Sequence, residues 1–142
     1  MNRRPDVPAE IVKCLRFSCL ALPDAYEEDA WVGTRWCVRK KNFAHVVLIE
    51  DGWPPAFARA VGSDVTQCIL TFRATGEELA ALSAQGAPFF KPPWWTDIVG
   101  VVLDEATDWD EIAELVTESY CVLAPAKLAA LVDRPRGSDP IG

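Results

Sequence analysis

The sequence predicts an α+β fold, a two-layer sandwich in which an antiparallel sheet packs against helices. Two apolar stretches, Thr34–Val38 and residues 43–50, flank the polar run Arg39, Lys40, Lys41 and Asn42, the pattern of a β-hairpin. Two more strand-like runs, Gln67–Arg73 and Ile98–Leu103, lie among segments whose apolar residues recur at helical spacing. No repeat or linker interrupts this order, which predicts a single domain over residues 1–132.

In chain order, Asp6 is placed to cap a first helix, with Pro8 in its first turn. Ile11, Cys14, Leu15, Phe17 and Leu22 are expected to face the core, and Lys13 and Arg16 the solvent. Pro23 stops this helix near Leu22, because a residue before proline avoids the helical conformation. Residues 51–64 hold two prolines and two glycines and read as a loop, with room for a short helix around residues 56–60. Thr75 opens a helix with Glu78 completing a capping box, and Gly86 ends it. The aromatic, proline-rich run 88–95 suits a packed loop. The nearly all-apolar run around Gly100 suits a buried central strand. Thr107 with Asp110 opens a helix carrying Ile112, Leu115, Val116 and Tyr120, and Pro125 starts a last one with Leu128, Leu131 and Val132. Residues 133–142 read as a mobile C-terminal tail.

A chain of 142 residues suits one domain, and one of about 150 buries roughly 68–70% of its unfolded surface. Fourteen basic against 21 acidic residues give a net charge of −7, which repels polyanions on average, so any nucleic-acid contact must rest on a local patch. Cys14, Cys19, Cys37, Cys68 and Cys121 are odd in number, form no Cys-x-x-Cys pair and sit among apolar residues, so reduced structural thiols are expected. Charges interrupt any secretory leader, and the longest wholly apolar runs fall far short of the ~20 residues of a spanning helix. A cytoplasmic protein with no membrane contact follows, a monomer or weak dimer.

The sharpest local feature is Arg35, Arg39, Lys40 and Lys41, four cations within seven residues on a hairpin that could lie along phosphates. Trp31 and Trp36 stand nearby as stacking surfaces. The plainer reading is that a charged tip keeps the sheet soluble. His45 is the single histidine, and Cys37 is its obvious partner for a nucleophile–base pair. If Lys40 and Lys41 form a two-residue turn, however, Trp36 faces His45, and Cys37 points to the other face of the sheet. Phe89, Phe90, Trp94 and Trp95 could line a ligand pocket or simply close one end of the core. Ser119 has no visible base. No phosphate loop, nucleophile elbow or metal-spaced Cys/His set occurs, so no catalytic residue, metal or cofactor is expected.

Three stretches together resemble the MmcQ/YjbR family. LPDAYEEDAW (22–31) resembles its Leu-Pro, acidic, aromatic opening. RWCVRKKNFAHV (35–46) is similar to its hairpin, with a basic residue before a Phe-Ala step. DWDEIAELVTESYCVLAPAKLAALV (108–132) resembles its C-terminal helix, Ser-Tyr step and closing Ala-Pro-x-Lys-Leu helix. The resemblance implies a frataxin-like (CyaY-like) sandwich and DNA binding through a double-wing arrangement of hairpins, with no catalytic signature. Frataxin-like folds also carry an iron-binding acidic ridge, for which Asp104, Glu105, Asp108, Asp110, Glu111, Glu114 and Glu118 are the counterpart here; acids on an exposed helix face and at its N-terminus are the plainer reading. The expectation is weak, salt-dependent DNA binding by the hairpin. The alternatives are a protein- or ligand-binding module on residues 89–95 and metal binding by the acids.

Overall fold

The computed structural model describes residues 6–63 and 65–132, and the tail expected over residues 133–142 lies outside them. The elements are α1 (Ala9–Cys19), β1 (Tyr26–Asp29), β2 (Thr34–Val38), β3 (Lys41–Ile49), α2 (Pro55–Val61), β4 (Gln67–Arg73), α3 (Gly76–Gln85), β5 (Phe89–Phe90), β6 (Ile98–Leu103), α4 (Trp109–Leu123) and α5 (Ala126–Ala129). The strands form one antiparallel sheet in the order β1-β2-β3-β4-β6-β5. The expected α+β sandwich is what forms.

One face of the sheet carries Trp36, Val46, Leu70, Phe72, Val99 and Val101 against Leu15 and Cys19 of α1 and Ile112, Leu115, Val116 and Tyr120 of α4. Each large apolar side chain buried there contributes roughly 1.5–3 kcal/mol. The opposite face holds a smaller cluster, in which Val47, Ile49 and Ile69 lie under Ala58, Phe57 and Val61 of α2. A short helix at this position was expected, but not its use as a cover for the second face. With both faces covered, β3 and β4 need apolar residues on both sides, and their burial patterns are nearly continuous.

Sequence patterning misses two strands. β1, Tyr-Glu-Glu-Asp, shows no apolar alternation because it is an exposed edge, where charge prevents pairing with other chains. β5 is only two residues long and pairs Phe89 with Val101 and Phe90 with Gly100. Gly100 is required there, since a Cβ would lie 2.2–2.6 Å from the Phe90 ring.

Helix boundaries also need correction. Pro8, not Asp6, occupies the N-cap of α1, and no side chain caps it. The buried stripe of α1 is Leu15 and Cys19, whereas Cys14 is exposed and Phe17 is 84% exposed. Phe17 lies two residues, about 200° around the helix, from both Leu15 and Cys19, so it cannot share their side. Thr75 is the N-cap of α3 but makes no side-chain cap bond. At α4 the cap is Asp108, which accepts from the backbone N–H groups of Asp110 (3.0 Å) and Glu111 (3.2 Å). Thr107 instead accepts from Asp104 N–H at 2.8 Å. Leu131 lies beyond α5 and is 70% exposed. Among the described residues no helix is long and apolar enough to cross a membrane.

Candidate functional site at the hairpin tip

Two linked features position the β2–β3 hairpin. Trp36 pairs with Ala44 and Cys37 with Asn42, so Phe43 is an extra residue, a β-bulge. The bulge turns both Phe43 and Ala44 toward the helices, where each is fully buried. From α4, the Ser119 hydroxyl donates to the Phe43 carbonyl (2.6 Å) and accepts from Arg73 N–H (2.8 Å). It bridges β3 and β4 one step beyond Ala44↔Phe72, their last paired residues at that end. Next to it, the Tyr120 ring meets Phe43 edge-on at 5.5 Å, and its hydroxyl donates to the Pro23 carbonyl at 2.7 Å. The Leu-Pro, Phe-Ala and Ser-Tyr steps therefore meet at one structural junction.

Above this junction the turn is Arg39–Lys40, with Val38 opposite Lys41, one residue earlier than a Lys40–Lys41 turn. Arg39 and Lys40 have φ of 50° and 69°, the positive pair of a type I′ turn, where Asn-Gly is the preferred sequence. Basic side chains occupy strained backbone at this tip.

The four cations are not equivalent. Arg35 is ion-paired with Glu28, its cross-strand neighbour in β1, and Arg39 with Asp24 at 3.4 Å. Lys40 and Lys41 are exposed and make no ion pair among the described residues. Asp24 and Glu28 are acidic partners of the hairpin arginines that the sequence reading passed over. Their signal was the acidic run 22–31 lying antiparallel to the basic run 35–41. On the helix side, Glu27 accepts from Arg16 through two bonds (2.8 and 2.9 Å) and from Trp36 Nε1 (2.9 Å). The hydrogen bond from Arg16 holds the Glu27 carboxyl below its ordinary pKa. Trp36 is fully buried and cannot stack on a base. Trp31 is 67% exposed, but it precedes β2, at the end of the strand away from the tip, and rests on Trp53 at 5.6 Å.

The shifted turn and the bulge also change the faces. His45 pairs with Arg35, so it shares a face with Arg35 and Cys37 rather than with Trp36. The shared face makes no catalytic pair. His45 Nε2 is bonded to the Val32 carbonyl at 2.7 Å and its ring packs on Phe57. Burial pushes its pKa down. The Cys37 thiol lies 3.8 Å from a Glu28 carboxylate oxygen, and burial followed by that negative charge pushes its pKa up, away from a reactive thiolate.

The aromatic segment spreads in several directions. Phe89 enters the helix-side core, Phe90 covers Gly100 on the opposite face, Trp94 meets Phe57 at 4.9 Å, and Trp95 is 62% exposed. Lys91 ties this loop together by donating to the Pro92 and Trp95 carbonyls at 2.8 and 2.7 Å. In the acidic stretch, Asp108 serves as the helix cap, and Asp104 accepts from Ala106 N–H at 2.8 Å. Among the described residues no three His, Cys, Asp or Glu side chains gather in a way that could hold a metal.

No curated protein matches the chain. The model of the YjbR family matches residues 20–122, a span that begins before Pro23 and ends after Tyr120 and so contains the whole junction. The chain belongs to the YjbR family.

Proposed function

We propose that this protein is a non-enzymatic binding module whose contact element is the tip of the β2–β3 hairpin, and that its ligand is the phosphate backbone of DNA. The observation that carries the reading is the placement of Lys40 and Lys41. They are exposed, make no ion pair among the described residues, and sit on or beside a turn whose backbone favours Asn-Gly. Residues held in sparsely populated backbone regions cluster at binding and switch sites, which supports the reading. The junction at Ser119 and Tyr120 supports the reading by fixing the hairpin from below, so a ligand meets a preorganised tip.

The magnitude is small. Arg35 and Arg39 already neutralise carboxylates, and the net charge of −7 opposes approach of a polyanion. Binding is therefore weak near physiological salt. Fluorescence anisotropy with labelled single- and double-stranded DNA at low salt tests the reading. The wild type binds, and the Lys40→Glu, Lys41→Glu double variant does not, with unchanged thermal stability. Equal binding by the two proteins, or none by either, refutes it.

A further inference from the structure

On the far side of the molecule from the second-face cluster, α1 and the N-terminal part of α4 flank an open groove of about 550 Å³. Glu10, Lys13, Cys14, Phe17 and Ser18 line it from α1, at spacings of three and four residues that form one continuous helical stripe. Trp109, Asp110 and Ala113 line it from α4. The apolar content is high for a helix side facing water. Phe17 is 84% exposed, Trp109 only partly buried, and Cys14 the one described cysteine classed as exposed. This stripe is the reason the sequence assigns Cys14 and Phe17 to a core that they do not join.

We propose that this face is a two-fold interface between copies of the chain, with Phe17 of one copy seated in the groove of the other. A two-fold interface uses the same patch twice, so the patch must complement itself. It supplies both an exposed aromatic, Phe17, and the open groove which that residue helps to line. It complements itself in charge as well. Lys13 lines the groove together with Glu10 and Asp110, and none of these three side chains is ion-paired among the described residues. Across a two-fold axis, Lys13 of one copy meets the acids of the other, which offsets the mutual repulsion of two chains of charge −7. The hairpin tip takes no part, so the pairing is independent of nucleic-acid contact.

Sedimentation velocity of the full chain over a hundredfold concentration range tests this. The wild type moves from monomer to dimer as concentration rises. Phe17→Lys remains monomeric; an 84%-exposed side chain can be replaced without loss of the fold, which circular dichroism checks. Lys13→Asp weakens the dimer at least tenfold, and adding Asp110→Lys restores it. A wild type that stays monomeric throughout overturns the proposal and leaves the groove to a different protein. A dimer that survives Phe17→Lys, or a charge exchange that fails to restore association, overturns it too.

Discussion

The Tyr120 hydroxyl donates a 2.7 Å hydrogen bond to the carbonyl of Pro23, joining residues 97 positions apart. The same ring lies edge-on to Phe43, and its neighbour Ser119 bonds the Phe43 carbonyl. In the sequence Ser119 has no visible base and Tyr120 falls on the apolar side of its helix. In the structure both hydroxyls are occupied with backbone, and burial raises the tyrosine pKa. The step ties the loop after α1, the bulge of β3 and the end of β4 to α4.

Removing these bonds should cost unequal amounts. Tyr120→Phe keeps the packing and loses one hydrogen bond, about 1 kcal/mol. Ser119→Ala leaves the Phe43 carbonyl and Arg73 N–H both without that partner, a loss of about 2 kcal/mol or more. Urea unfolding of the two variants measures the order.

Lys40→Gly should separate stability from binding. Glycine relieves the positive φ of 69°, which outweighs the extra freedom it gives the unfolded chain, so stability rises by about 0.5–1 kcal/mol. DNA binding falls because one of the two unpaired cations is gone. Chemical denaturation and anisotropy on one preparation read both effects.

His45 makes stability depend on pH. Burial lowers its folded pKa below the unfolded value of about 6.5, so the unfolded chain takes up the proton first. Its contribution is present above pH 6.5 and is lost as pH falls from there through the folded pKa. Glu27, whose folded pKa is also lowered, acts in a separate window below about pH 4.5. Unfolding free energy should fall between pH 7 and 5 in the wild type and be flatter over that range in His45→Gln.

The thiols should react in order of exposure. Cys68 is pushed up to about 12 by burial, and Cys19 and Cys37 are also raised by burial. Cys14 is exposed. Iodoacetamide labelling of the native protein, read by peptide mass spectrometry, should modify Cys14 first and leave Cys19 and Cys68 unmodified until the protein unfolds.

The order of helices and main strands was legible in the sequence because it rests on apolar periodicity, as in β4, β6 and α4. β1 was not legible, because edge strands are selected for charge rather than alternation. The face of His45 was not legible either. It depends on a turn one residue earlier and a one-residue bulge at Phe43, and a strand repeats every two residues. The four cations were visible as a run, but their inequality was not, since Glu28 and Asp24 reach Arg35 and Arg39 only through the pairing of β1 and the loop before it.

The salt dependence of DNA affinity tests the hairpin account most directly. Each neutralised phosphate on duplex DNA adds about −0.9 to the slope of log affinity against log salt. If Lys40 and Lys41 make the contact while Arg35 and Arg39 keep their carboxylates, the slope is no steeper than about −1.8. A slope near −3.6 would mean that the arginines leave Glu28 and Asp24 to join the contact, contradicting the division of charge at this tip; undetectable binding in low salt would contradict the contact itself.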